Sequence, residues 1–332
     1  MVDFSVGVRT YNGEKQLPEL LNRLRSQQYT EDFSWEVVVV DNNSTDNTAR
    51  IIQNYQTHWP DVFPLRYIFE AQQGASYARQ RLIQEARGVL IGFLDDDNLP
   101  ASNWVGEAYR FGQAHPQAGA YGSKIQANYE TDPPDGFERI AQFLPVVDRQ
   151  ELLCFTSSAL HNRKGVLPPG AGLTIRRQAW LDSVPKSLRL KGPVGNSLAA
   201  KGEDTEALYY VKKAGWEIWF NPTMQIEHYI PKQRMERAYL LRFMQGVGLG
   251  RYHTRMLQYA PWQRPAMTLL YSANDLRKLV THWLKYRPVL DTDPVAACEL
   301  ELLRSSLLSP WYQWQTQWLN RSKYSSTQKS WM

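Results

Sequence analysis

The chain has 332 residues, of which 43% are hydrophobic, and a formal net charge of +5 from 38 Lys and Arg against 33 Asp and Glu. That length fits one large domain with an appended segment, or two domains, and the composition is that of a soluble globular protein. No apolar run approaches the ~18 residues of a membrane span, and two cysteines far apart, Cys154 and Cys298, argue for reduced thiols against a disulfide framework or a zinc site.

The opening "MVDFSVGVRTYNG" carries a strand pattern in place of a basic, apolar leader, so a cytoplasmic setting is the expectation. "FSVGVRTYN" (4–12) reads as a first strand, and 14–27 as a helix with Leu17, Leu20, Leu21 and Leu24 on one face. "WEVVVVD" (35–41) is a second, fully buried strand, and "STDNTARIIQNYQ" (44–56) a helix opened by Ser, Thr and Asp as capping candidates. A third strand (65–70), a third helix (74–87) and a fourth strand (Val89–Leu94) complete an alternation that predicts a doubly wound α/β half ending near His115. From about 120 the pattern is less regular, with a strand over 121–130. Order returns at "GEDTEALYYVKKAG" (202–215), a helix followed by two strands, "WEIWFNP" and "MQIEHYI". Beyond Pro231 the chain reads as helical over 235–260, interrupted by Gly246, Gly248 and Gly250, and over 266–286, while the polar last ten residues read as disordered.

In an open parallel sheet, ligands bind outside the carboxyl ends of the strands. Strand one ends in Arg9-Thr10-Tyr11-Asn12, strand two in Asp41-Asn42-Asn43-Ser44, strand three runs into Gln73-Gly74, and strand four ends in Asp95-Asp96-Asp97. If the extended geometry continues, Asp95 and Asp97 share a face and Asp96 takes the other. Two carboxylates on one face are an unfavourable pair or half of a cation site. Neither G-x-G-x-x-G nor G-x-x-x-x-G-K-[ST] follows strand one, which disfavours dinucleotide enzymes and P-loop ATPases. What remains is a polar rim that can bind a nucleotide through side chains, with a hard cation bridging acids and phosphate oxygens.

"VGVRTYNGEKQLPELLNRLRSQ", "WEVVVVDNNSTDNT", "QQGASYARQRLIQEARGVLIGFLDDDNLP" and "GEDTE" together resemble, in order and spacing, the family 2 glycosyltransferases of the GT-A fold. The resemblance implies an α/β fold of GT-A type, a doubly wound mixed sheet flanked by helices, over residues 1–230, with a nucleotide-binding half (1–115) and an acceptor half (116–230). Residues 231–332 are then a helical, basic and aromatic extension. It further implies a metal-dependent, inverting transfer of a sugar from a nucleotide-diphosphate donor, a UDP-sugar first, to a hydroxyl of a growing polysaccharide or lipid-linked glycan. The competing readings are a nucleotidyltransferase and a catalytically silent glycan-binding scaffold on the same fold.

By motif position, Asp41 would accept a hydrogen bond from the base, with Thr10 and Asn12 on the same rim. Asp95 would lie near the ribose, and Asp97 on a Mn²⁺ or Mg²⁺ ion completed by His228. Arg79 would contact the nucleotide or the acids, while Gly170 and Gly172 line the donor-sugar and acceptor site. Asp204, with Glu203 beside it, would deprotonate the acceptor; the same position also suits a helix cap.

From Lys232 onward the sequence holds fifteen Lys and Arg against six Asp and Glu. Trp262, Trp283, Trp311, Trp314, Trp318 and Trp331 fall in this tail. Trp with Lys and Arg is the mixture of a lipid headgroup interface, so peripheral contact with the inner face of the plasma membrane is one expectation, and a helical subdomain with buried Trp the other. No recognition motif accompanies the charge, so nucleic acid is not an expected partner. The tail after "EHYIPKQRM" also resembles cyanobacterial glycosyltransferases of exported or hormogonium polysaccharide synthesis.

Overall fold

A computed structural model describes residues 2–155, 167–192 and 200–329, with side chains to Thr316. Residues 156–166, within the less regular stretch that begins near 120, lie outside it. The chain forms two compact units, the first comprising Met1–Asp132, Leu144–Ser197 and Glu203–Lys232.

The first unit is built on a mixed sheet. Strands β1 (Phe4–Thr10), β2 (Trp35–Asp41), β3 (Leu65–Phe69) and β4 (Leu90–Asp95) are parallel and lie in the order β3-β2-β1-β4. The sheet continues through β8 (Thr174–Arg176), β6 (Ala118–Tyr129), β9 (Glu217–Ile230) and β5 (Asn98–Pro100), with β7 (Leu153–Cys154) beside β9. Because side chains alternate across a strand, the apolar strands feed two cores. Val6, Val8, Val37, Val39 and Leu94 pack with Leu17, Leu20, Leu21 and Leu24 of helix α1 (Leu17–Arg25) and with Trp104 of α4 (Trp104–Ala114). Val40, Ile91 and Phe93 meet Leu82 and Ile83 of α3 (Ala75–Glu85), Trp180 of α6 (Arg177–Ser183) and Leu208 and Val211 of α7 (Glu203–Lys213). Helix α2 (Thr48–Gln56) adds Ile52 to the first core.

Two expectations are corrected here. The strands read as "WEIWFNP" and "MQIEHYI" are one strand, β9, which passes Pro222 without ending because residues 222–224 bulge out of the pairing, with Asn221 opposite Ser123 and Gln225 opposite the next residue of β6, Lys124. The three aspartates do not continue the strand: β4 ends at Asp95, and residues 96–97 form a turn into β5. The same-face pairing of Asp95 and Asp97 therefore falls away.

The second unit comprises Pro133–Phe143, Leu198–Gly202 and Gln233–Met332. It contains helices α5 (Glu138–Ala141), α8 (Arg237–Met256), α9 (Arg264–Tyr286) and α10 (Pro294–Lys329). The glycines at 246, 248 and 250 do not interrupt α8, and they are buried. A Cβ at Gly248 would stand 2.6 Å from Ser305 Cβ of α10, so the small residue sets how closely these helices approach. Arg255 of α8 forms a two-toothed ion pair with the buried Asp275 of α9, at 2.5 and 3.1 Å. Arg139 of α5 pairs with Asp293, at 3.4 Å, and with Glu299 of α10. The last ten residues, expected to be disordered, are helical as far as Lys329. Trp262, Trp283, Trp311 and Trp314 are exposed, which corrects the reading of a subdomain with buried Trp; the side chains of Trp318 and Trp331 lie outside the described residues. Cys154 and Cys298 are free thiols. Among the described residues no helix is long and apolar enough to cross a membrane.

Candidate active site

The register of the parallel strands brings the strand ends together: Thr10 stands opposite Asp41, and Arg9 opposite Asp95. Asp41 is buried. Its Oδ1 accepts from the Ser44 amide, at 2.9 Å, and its Oδ2 from the Tyr67 hydroxyl, at 2.9 Å. Burial and then the hydrogen bond to Asp41 push the Tyr67 hydroxyl up to about 12, so it remains a donor throughout the neutral range. Asn12, in the left-handed region at φ 54°, accepts from the Thr45 amide at 2.9 Å and donates its own amide to Ser44 Oγ at 2.9 Å. It shapes the loop after β2, while Thr10 turns to Asp96.

The acidic turn divides its charge among three neighbours. Asp95 is held by Arg9 through Nε to Oδ1 at 2.5 Å and Nη2 to Oδ2 at 3.0 Å. Asp96 Oδ2 accepts from Thr10 Oγ1 at 2.6 Å. Asp97, which is buried, accepts from Asn98 Nδ2 at 2.9 Å. Antiparallel pairing of β5 with β9 sets Asn98 opposite His228, so that His228 Nε2 lies 3.5 Å from Asp97 Oδ2. Burial opposes the charge on Arg9, but Asp95 more than offsets this and holds the guanidinium above its usual range.

Asp204 enters from the N-terminal turn of α7. Its Oδ1 accepts from Arg79 Nη1, and its Oδ2 accepts from the Gly170 amide at 2.9 Å. Gly170 has to be glycine at this approach, since a Cβ there would collide with both the Asp204 carboxylate and Arg79 Nη2. Gly172, at φ +63°, leaves room for Ser123 Oγ, which donates to its carbonyl at 2.6 Å. Glu203 is buried, faces Gly192 and acts electrostatically on both Arg9 and Arg79. Burial and the neighbouring Arg9 charge push Arg79 down to about 9, which leaves it charged at neutral pH. Three guanidinium nitrogens here, Arg9 Nη1 and Arg79 Nε and Nη2, are buried without an acceptor among the described residues.

Arg79, Gly170, Glu203 and Asp204 thus form one cluster, tied through Arg9 to Asp95. Asp97 with His228 is a second pair, and Asp41 with Asn12 and Ser44 a third group. Gly172 lies by Ser123. Arg9 and Tyr67 were missed from sequence. Each has its partner tens of residues away; Arg9 was signalled by its position near the C-terminal end of β1, and Tyr67, in the middle of β3, by nothing local.

Asp97 and His228, 3.5 Å apart, offer one carboxylate oxygen and one imidazole nitrogen, a donor pair that fits Mn²⁺ better than the oxygen-seeking Mg²⁺. No third His, Cys, Asp or Glu joins them among the described residues. The pair fits a cation whose remaining ligands are phosphate oxygens and water.

A sequence profile of glycosyl transferase family 2 matches residues 5–173. Glycosyltransferase AglE of Haloferax volcanii is 35% identical over 101 residues, 30% of this chain and 32% of that protein. The chain thus spans about a third of the length of the curated relative it matches there. Among solved structures, the mannosyltransferase PcManGT from Pyrobaculum calidifontis, in complex with GDP-Man and Mn²⁺, superimposes with a TM-score of 0.57 at 19% identity, covering 93% of this chain and 87% of that one. Staphylococcus aureus TarS in complex with UDP gives 0.50 at 18% identity, covering 93% and 92%. At these identities the likeness is one of fold, and the fold is GT-A.

Proposed function

The chain belongs to glycosyl transferase family 2, and from that premise we propose that it moves a sugar from a nucleoside-diphosphate donor to a hydroxyl of a growing polysaccharide or lipid-linked glycan. The observation that carries this reading is the set of buried guanidinium nitrogens of Arg9 and Arg79 left without protein acceptors beside the Asp204 carboxylate. Buried unsatisfied donors are costly, and a diphosphate is the acceptor they suit. The UDP held by TarS and the GDP-Man held by PcManGT support a nucleotide-sugar donor, with a UDP-sugar as the first choice.

In this reading Asp41 accepts from the base edge, ordered by Tyr67 and Ser44, and Asp95, fixed by Arg9, faces the ribose. Asp97 and His228 would hold Mn²⁺ or Mg²⁺, which when bound offsets charge on the diphosphate as a Lewis acid. Arg79 and the Gly170 amide orient the Asp204 carboxylate. Asp204 takes the proton of the acceptor hydroxyl while that oxygen bonds to the anomeric carbon. The bond from that carbon to the diphosphate breaks, and the nucleoside diphosphate leaves with the electron pair. Attack opposite the leaving group inverts the configuration. Gly170 and Gly172 leave the space in which donor sugar and acceptor meet.

Thermal stability against UDP, GDP, CDP and dTDP, each with and without Mn²⁺, tests the reading. One nucleotide should stabilise with metal alone, by about 2.7 kcal/mol at ~100 times its dissociation constant. No shift with any of them at millimolar concentrations would overturn it.

A further inference from the structure

Helix α9 is amphipathic in an unusual sense: its polar side is packed and its apolar side is bare. Toward α8 and α10 it presents Asp275, paired with Arg255, Tyr271, whose hydroxyl lies 3.1 Å from that of Tyr259, and His282, whose Nε2 lies 2.9 Å from the Ala296 carbonyl. On the opposite side Leu269, Leu270, Leu276, Val280, Trp283 and Leu284 recur at helical spacing and are exposed, Leu269 at 73% and Leu270 at 63%. An apolar stripe of this length on the surface marks an interaction site.

The charges around the stripe identify its occupant. Between Trp262 and Arg287 the chain carries Arg264, Arg277, Lys278, Lys285 and Arg287, and a single acid, the buried Asp275. Trp262 precedes the helix at 80% exposure, and Trp283 closes it with the Arg287 guanidinium 5.6 Å from its ring centroid. A second copy docking through this face would set like charges against each other, because a two-fold contact places the same patch on both sides. An anionic lipid surface meets both features, taking the apolar side chains into the acyl boundary and the cations among the headgroups.

We propose that the exposed face of α9 is a peripheral docking surface for an anionic bilayer, with the helix lying in the plane of the interface. This does not depend on the reading of the candidate active site. Flotation of the full chain with vesicles tests it, comparing phosphatidylcholine containing about a third phosphatidylglycerol with phosphatidylcholine alone. The anionic vesicles should bind at least about tenfold more tightly. The double variant Leu276→Glu, Val280→Glu should lose about tenfold or more of that affinity with an unchanged circular dichroism spectrum and melting temperature, since both side chains are exposed. Lys278→Gln with Lys285→Gln should weaken binding to the anionic vesicles alone. The proposal is overturned if wild type does not float, or if the double Glu variant floats as well as wild type. It is also overturned if wild type sediments as a dimer that the double Glu variant converts to monomer, which would assign the face to a second copy.

Discussion

Three consecutive aspartates would repel one another on a continuing strand, and the fold relieves this by giving each its own partner: Arg9 for Asp95, Thr10 for Asp96, Asn98 with His228 for Asp97. The same economy governs Asp204. Its two oxygens are occupied by Arg79 and the Gly170 amide, which fix the carboxylate yet leave lone pairs on both oxygens for an incoming hydroxyl. Asp204→Asn keeps the shape while removing the basic oxygen. Transfer should then fall by about 10²–10⁴-fold, while nucleotide-dependent stabilisation stays within about twofold in apparent affinity, a change of under ~1 kcal/mol. A variant that no longer binds nucleotide would place Asp204 in donor binding and strip it of the base role. Asn on its own retains an acceptor for the Gly170 amide, so misfolding is not the expected outcome.

Among the elements, α2 shows how local chemistry holds the rim. Asp46 Oδ1 accepts from the Thr48 amide at 3.0 Å and from Thr48 Oγ1 at 2.5 Å, and its Oδ2 accepts from the Glu14 amide at 3.1 Å, joining the start of α2 to the loop after β1. Partial burial favours the protonated carboxyl and pushes its pKa up, but the hydrogen bonds from Thr48 and Glu14 more than offset this and hold the carboxyl below the usual range. The folded value is therefore depressed, so its contribution is present above the unfolded value near ~4 and lost as the pH falls through the folded value. Asp46→Ala should cost about 1 kcal/mol at neutral pH. The difference from wild type in a urea titration should narrow in acid, and a difference unchanged at low pH would show that the charge plays no part. That a polar side chain would tie down the start of α2 was legible from "STDNT", although the residue at the cap position itself is Asn47 and the acceptor is Asp46 just before it. The four parallel strands were legible too, because an unbroken apolar run flanked by turn residues has few other uses. The single strand β9 was not legible, since Pro222 reads locally as a stop, and the pairing that carries the strand past its bulge is with Ser123 and Lys124, about a hundred residues away. Arg9 shows the same limit within the site: its residue type was visible at the end of β1, but its pairing with Asp95 exists through the β1 and β4 register alone.

At the scale of the whole molecule, the first unit owes its stability to two apolar layers on the faces of the sheet, whereas Asp97 and His228 stand where β4 turns into β5, outside both cores. Each already has a protein neighbour, Asn98 for Asp97 and the Asp97 carboxylate for His228. Folding and cation binding are thus separable here, unlike in small domains whose cores depend on a metal. Chelation with EDTA should leave the thermal midpoint of the ligand-free chain unchanged, within the ~1 °C that corresponds to a few tenths of a kcal/mol in a domain of this size. In the presence of the stabilising nucleotide, the same chelation should abolish the shift, and Mn²⁺ in excess should restore it. Asp97→Asn should behave as wild type does in EDTA, folding normally and showing no nucleotide-dependent shift with or without Mn²⁺. If EDTA lowers the midpoint of the ligand-free chain, the cation has a structural role that this placement of Asp97 and His228 does not provide. If Asp97→Asn keeps the full Mn²⁺-dependent shift, the cation is held elsewhere on the rim.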